Sequence, residues 1–232
     1  MLGLLNTAFS LSFTLAMSEA AVVSSLVDPS GRTTRKLAQF WGSRMCSVCG
    51  IGVSTHGGHD VAWHQPLIVM ANHQSYFDIP VLYNVLPEPL GMLAKKELFR
   101  VPVFNAAMRG LRCLPIDRSD RRQSFESLRV AADHVRAGNS IVVFPEGTRS
   151  GDGKVQELKK GPFHLAEMAG VPIVPVGIRG TRDALAKDGV LVRGAHVVVT
   201  IGSPIVEVRV GQDARDHTRD AVRAALVELS EV

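Results

Sequence analysis

The chain has 232 residues, 46% of them hydrophobic, enough for one domain with a sizeable core and too many to leave without one. Its formal charge of +4 suits phosphate-bearing ligands, anionic membranes or acidic carrier proteins, and no nucleic-acid partner is expected. Three cysteines exclude a disulfide framework, and an odd count with one close pair points to a reducing compartment.

Residues 1–27 carry a single charge, Glu19. The stretch is too long and polar-speckled for a signal-peptide core, and it lacks a basic start. Asn6, Thr7, Ser10, Ser12 and Thr14 weaken a spanning helix, and Glu19 near mid-span would cost about 2.5–3.5 kcal/mol on insertion scales. Asp28-Pro29-Ser30-Gly31 reads as a turn. Beyond it Arg32, Arg35, Lys36, Trp41 and Arg44 form an interfacial mixture of cations and an aromatic. Three arrangements fit: a single membrane helix with its basic side cytoplasmic, a two-helix hairpin lying in one leaflet, or a helix docked on the domain core. The hairpin is preferred, and all three leave the following domain in the cytoplasm. Residues 1–50 are therefore assigned to membrane-associating helices and 51–232 to one domain. Cys46-Ser47-Val48-Cys49, with His56 and His59 downstream, fits no standard zinc set and reads as small thiols packed in an apolar helix.

Gly52 to Thr55 predicts a short strand. Pro66 to Ala71 is an apolar run without alternation, as expected where both sheet faces are covered. Asp78 is placed to cap a helix from Ile79 to Val85. Leu90 to Ala94 is the next strand, followed by a helix from Glu97 to about Arg109 that Gly110 stops. Cys113 to Ile116 is a strand ending at Asp117-Arg118. Ser119 is placed to cap a helix whose Phe125, Leu128, Ala132 and Val135 share one face. Ser140 to Phe144 is a strand, Pro162 starts a helix that Gly170 ends, and Ile173–Ile178 and Val197–Ile201 are strands. An amphipathic helix closes the chain from about Ala214 to Leu229. Strands alternate with helices, which predicts a single α/β domain with a largely parallel sheet flanked by helices.

In such sheets ligands gather beyond the carboxyl ends of the strands. His73, Arg118 and Glu146 each lie just past such an end. His73 and Asp78, in Asn72-His73-Gln74-Ser75-Tyr76-Phe77-Asp78, are a base-and-orienter pair. The carboxylate holds one imidazole nitrogen and leaves the other free to take a proton from a hydroxyl. Ser75 is the rival chemistry, a nucleophile served by His73. A serine two residues from its base in one tight turn is poorly placed for that transfer, and there is no Gly-x-Ser-x-Gly elbow. Arg118 and Arg149 are candidate phosphate clamps, because a guanidinium matches phosphate oxygens two at a time. Gly147 allows close backbone approach, and Glu146 either shapes that site or pairs with an arginine to hold the loop. Thr148 and Ser150 read chiefly as bonding the turn. Lys95 or Lys96 could face a developing oxyanion or a phosphate. Lys159-Lys160 extends the basic field or is a solvated helix start. The run Arg118-Ser119-Asp120-Arg121-Arg122 is placed to meet a carrier's phosphopantetheine, the membrane, or solvent. Met92, Leu93 and the helix from Leu98 to Leu111 are candidates for an apolar slot or simply core.

Four blocks together resemble the lysophospholipid acyltransferase family, in particular its bacterial 1-acylglycerol-3-phosphate acyltransferases. They are Asn72-His73 to Asp78; Lys95-Lys96-Glu97-Leu98 leading to Ile116-Asp117-Arg118; Phe144-Pro145-Glu146-Gly147-Thr148-Arg149-Ser150; and Val171 to Val176. The resemblance runs from about Gly52 to Pro204. Leu158 before Lys159-Lys160-Gly161 departs from it, an aromatic being expected there. The resemblance implies a glycerol-3-phosphate acyltransferase-like fold and direct attack of a lysophospholipid hydroxyl on an acyl thioester, with no acyl-enzyme. His73 and Asp78 would be catalytic. Lys95, Arg118, Glu146, Gly147, Thr148 and Arg149 would bind substrate, Arg118 at the acceptor phosphate. The donor would be acyl-CoA or acyl-carrier protein, without a metal or bound cofactor. Lyso-ornithine lipid or another lysolipid is the alternative acceptor, and a Ser75-dependent lipid hydrolase or a noncatalytic lipid-binding module the alternative class.

Overall fold

The computed structural model describes residues 1–28, 31–88, 90–117, 120–206 and 211–231. Two helices come first, α1 (Leu2–Val27) and α2 (Arg32–Val48). Between them the Asp28 carboxylate accepts from Thr33 N at 2.9 Å and Thr33 Oγ1 at 2.8 Å, satisfying donors that the start of a helix leaves open. Helix α1 is turned inside out relative to an ordinary surface helix. Leu4, Leu11 and Leu15 are 64%, 70% and 53% exposed, while Asn6 and Ser10 are 5% and 9% exposed. The polar side chains that weaken a spanning helix are partnered within the protein. Asn6 Nδ2 donates to Cys49 O, Thr7 Oγ1 to Val190 O, and Ser24 Oγ meets Thr34 Oγ1. Near its start the helix is thus tied to the domain through Val190 O, and near its end to α2 through Thr34.

The rest alternates as expected: β1 (Ile51–Gly57), β2 (Ile68–Ala71), α3 (Asp78–Val85), β3 (Gly91–Lys95), α4 (Pro102–Gly110), β4 (Leu114–Ile116), α5 (Arg121–Arg136), β5 (Ile141–Val143), α6 (Gly161–Ala169), β6 (Ile173–Arg179), α7 (Thr181–Ala184), β7 (Ala195–Ile201) and α8 (Gln212–Glu231). The sheet order is β1-β7-β6-β2-β5-β3-β4, and every pairing is parallel except β6 with β7. In β2, Ile68 and Met70 face one layer, with α5, α6 and α8, while Val69 and Ala71 face the other, with α2, α3 and α4. All four are fully buried, which is why that strand lacks a polar alternation. Burying each large side chain contributes about 1.5–3 kcal/mol. Helix α2 seats closely on α3: a Cβ at Gly42 would lie 2.5 Å from Pro80 O.

Three expectations change. The helix foreseen over 97–109 is a short 3-10 turn (Lys96–Arg100) followed by α4. Pro102 lacks an N–H and drives Val101 to extended backbone, φ −82° and ψ 113°, so the helix restarts there. Asp78 is the first residue of α3 rather than its cap, because its carboxylate is engaged elsewhere. Ser119 lies outside the described residues, and Asp120 caps α5 by accepting from Gln123 N at 2.9 Å. The three cysteines are free and buried. Burial pushes the Cys46 thiol up to about 12 and the Cys113 thiol to about 11, values of packed, unreactive thiols.

Candidate active site

Strand order assembles the site. β2 lies between β6 and β5, so the segments leaving the carboxyl ends of these three neighbours meet. After β2 the chain leaves the sheet through Asn72, whose amide continues the ladder: Nδ2 donates to Ile178 O at 2.8 Å and Oδ1 accepts from Ile178 N at 2.7 Å. His73 follows at the rim.

The 73–78 turn closes on the Asp78 carboxylate. Oδ2 accepts from His73 Nδ1 at 2.6 Å, Gln74 N at 2.8 Å and Ser75 N at 3.0 Å. Oδ1 accepts from Thr181 Oγ1 at 2.5 Å. A carboxylate that accepts on both oxygens requires Nδ1 to carry the hydrogen, so Nε2 presents its lone pair. Nε2 has no hydrogen-bond partner among the described residues, and the side chain stays 14% exposed. The ring plane is fixed by Phe144, stacked at 4.0 Å between centroids and 17° between planes. The tautomer of the neutral ring, its orientation and its access are thus fixed together.

The segment after β5 grips the same turn by its backbone. Glu146 Oε1 accepts from His73 N at 2.6 Å and Oε2 from Gln156 N at 2.8 Å. Ser150 N donates to His73 O at 2.7 Å. Burial, opposed by these backbone hydrogen bonds, holds the Glu146 carboxyl above its ordinary range. Both carboxylate oxygens thus clamp backbone amides; Arg118, a candidate ion-pair partner for Glu146, lies outside the described residues. Gly147 takes φ +72°, which a Cβ would strain. Ser150 Oγ donates to Asp152 and accepts from Gly153 N, as expected of a residue bonding the turn.

The remaining candidates separate. Arg149 Cζ lies 3.8 Å above the Tyr76 ring and Nη1 donates to Lys187 O at 2.6 Å, so this guanidinium spans both motifs and the 180s segment. Thr148 is exposed beside it. Lys95 is 65% exposed and lies 3.8 Å from Glu97; Lys96 instead reaches Asp117 at 2.5 Å. Neither lysine contacts His73 through these bonds. Arg118 lies outside the described residues. The strand that precedes it in the sequence, β4, is at the sheet edge, with β3 and β5 between that strand and β2. Ser75 is wholly buried. Its hydroxyl donates to Leu185 O at 2.7 Å and accepts from Phe77 N at 3.1 Å, which removes it as a nucleophile for His73. Sequence reasoning missed Thr181 as the second anchor of Asp78. Nothing marks a single threonine after β6 until the strand order is known. It also assigned no role to Asn72, Tyr76, Phe144 or Gln156, although the first three lie in or beside the motifs.

A His–Asp pair on a parallel-sheet rim, next to a loop bearing a stacked guanidinium, places a potential general base beside a fixed cation in an α/β domain. The chain belongs to the Acyltransferase family, whose model matches residues 52–179. It is 37% identical over 142 residues to a chloroplastic 1-acyl-sn-glycerol-3-phosphate acyltransferase of Brassica napus, a match covering 60% of this chain and 41% of that protein. It is 29% identical over 181 residues to the 1-acyl-sn-glycerol-3-phosphate acyltransferase of Salmonella typhimurium, covering 78% of this chain and 70% of that one. The chain thus spans about two fifths of the plant relative's length. Among solved structures, the 1-acyl-sn-glycerophosphate acyltransferase PlsC from Thermotoga maritima matches with a TM-score of 0.83 and 26% identity, over 99% of this chain and 97% of that one.

Proposed function

We propose that this protein transfers a fatty acyl group from a thioester donor, acyl-CoA or acyl-carrier protein, to the sn-2 hydroxyl of 1-acylglycerol 3-phosphate, giving phosphatidate. The observation that carries the reading is His73, held through Nδ1 by Asp78 with Nε2 accessible. Nε2 removes the hydroxyl proton as the oxygen attacks the thioester carbonyl. The tetrahedral intermediate collapses, the C–S bond breaks, and the leaving thiolate takes the proton back from the imidazolium. One ester forms, one thioester is lost, and His73 returns to its starting state. The names of the relatives support the acceptor assignment. Arg149, fixed by Tyr76 and Lys187 O, is suited to the acceptor phosphate, and Arg118 is proposed to share it.

An apolar cavity of about 160 Å³ is suited to the acyl chain. It lies between α1, α2, α3, β3 and α4, and Trp41, Ile79, Met92, Ala94, Phe104 and Ala107 are among its lining. Ile79 follows Asp78 directly, so the cavity abuts the catalytic helix. Met92, Leu98 and Leu111, expected as slot or core, line it too; Leu93 packs in the opposite layer.

The outward leucines of α1 support association with one leaflet. The helix is long and apolar enough to cross a bilayer, but a helix bonded to Val190 O near its start and packed along α4 favours lying flat. The catalytic domain is then cytoplasmic.

The test is His73→Ala in the full chain, assayed in mixed micelles with lysophosphatidate and acyl-CoA. Loss of about 10²–10⁴-fold in kcat is expected, with an unchanged circular dichroism spectrum. Full activity in the variant refutes the mechanism. An acceptor panel including lyso-ornithine lipid, read by mass spectrometry, fixes the acceptor.

A further inference from the structure

A second concave site lies between α5, α6 and α8, with a volume of about 260 Å³. Arg121, Lys160, His164, Arg215 and Arg219 line it, and the buried Phe163 lies at its base. Two of the cations are already matched: Arg215 reaches Glu167 at 2.6 Å and Arg219 reaches Asp216 at 3.0 Å. These pairs hold Arg215 and Arg219 in place, 23% and 26% exposed. Arg121 and Lys160 have no carboxylate partner among the described residues. Uncompensated cations on fixed walls repel one another, and α5 and α6 begin at Arg121 and just after Lys160, adding the positive ends of two helix dipoles. The His164 imidazole records the field. Burial and then Arg215 lower its proton affinity, Glu167 opposes them, and Arg121 and Lys160 lower it further.

We infer that this pocket binds the phosphate ester groups of a water-soluble ligand and, if the proposed function holds, that the ligand is the acyl donor, gripped by its nucleotide phosphates. Two relationships favour the donor over a lipid headgroup. The pocket is built on the α5–α6–α8 layer, whereas the outward leucines of α1 and the apolar cavity belong to the other layer. A lipid anchored there keeps its phosphate a few bonds from its chains, on that side of the sheet, whereas a donor with its acyl chain in the same cavity carries its nucleotide phosphates at the end of a long pantetheine arm that passes the rim. The pocket wall is also tied to the catalytic loop, because Lys159 N donates to Pro145 O at 2.8 Å, next to Glu146. A ligand lodged at Lys160 therefore lies within reach of the rim while its phosphates stay outside the reaction centre. A small concavity suits phosphate groups better than the broad acidic face of a protein.

Arg121 and Lys160 are exposed, so Arg121→Gln with Lys160→Gln leaves the core untouched. Full-length protein in detergent is titrated calorimetrically with adenosine 3′,5′-bisphosphate, and KM is measured for acyl-CoA and for lysophosphatidate. Probe affinity is expected to fall about tenfold or more in the double variant, and KM for acyl-CoA to rise similarly, since each charged hydrogen bond carries roughly a factor of ten. KM for lysophosphatidate and binding to vesicles of phosphatidate in phosphatidylcholine stay as in the parent. Arg121→Lys with Lys160→Arg keeps the probe affinity. Equal probe affinity in parent and double variant overturns the site. Lost vesicle binding with unchanged acyl-CoA KM assigns the pocket to a membrane and overturns it as well. The titration needs no turnover: a protein that binds the probe through these two residues but transfers no acyl group keeps the phosphate site and discards the transferase reading.

Discussion

Thr181 Oγ1 donates to Asp78 Oδ1 at 2.5 Å across 103 residues of chain. With it the Asp78 carboxylate receives four hydrogen bonds, three of them on the oxygen that holds His73. Orientation of the His73 ring thus depends on a residue just past the carboxyl end of β6.

Replacing Thr181 by valine keeps the shape and removes the hydroxyl. One net hydrogen bond is worth about 0.5–1.5 kcal/mol, so kcat should fall about 3–10-fold while KM for both substrates stays put. Thr181→Ser should restore most of the loss. A valine variant with changed KM and normal kcat would show that Thr181 shapes binding instead.

Glu146 couples the site to pH. Its folded-state pKa is raised above the ordinary 4.5 of a glutamate, chiefly by burial. A group raised in this way stabilises the fold fully below its unfolded value, and that contribution fades as pH climbs through the folded value. Glu146→Gln has no such titration and turns an amide donor toward one backbone N–H. Urea unfolding should therefore find the variant less stable than the parent, by a margin that narrows from about pH 4.5 toward neutral. A margin that widens with pH would reverse the assignment.

Tyr76 is 60% exposed and touches no part of the His73–Asp78 pair in the bonds above, yet its ring carries Arg149. A cation–π contact at an exposed site is worth about 0.5–1 kcal/mol. Tyr76→Leu is expected to raise KM for lysophosphatidate about 2–5-fold with kcat nearly unchanged, and Tyr76→Phe to behave like the parent. Equal kinetics in all three proteins would remove Arg149 stacking from acceptor binding.

Ala107 lines the apolar cavity. Ala107→Phe fills part of it, so acyl donors with longer chains lose contacts. Each displaced methylene costs about 0.8 kcal/mol, roughly fourfold in kcat/KM. A donor series of increasing chain length should show an optimum moved to shorter chains, with the shortest donors unaffected. An unmoved optimum places the acyl chain elsewhere.

The amino-acid sequence alone determined the features whose causes are local. The apolar runs 66–71 and 173–178, the stops at Gly110 and Gly170, and the pairing of His73 with Asp78 all follow from neighbours within a few residues. So did the family, since its motifs are short and contiguous. Only the tertiary structure decided which strands are adjacent, because β2 could bury its side chains beside any partner of similar pattern. That adjacency brought Thr181 to Asp78, made Glu146 a clamp on His73 N, and took the Ser75 hydroxyl to Leu185 O. It also turned the polar residues of α1 inward, where Cys49 O and Val190 O satisfy them. Local periodicity records that a face is buried; the identity of what covers it is settled by packing the whole chain at once.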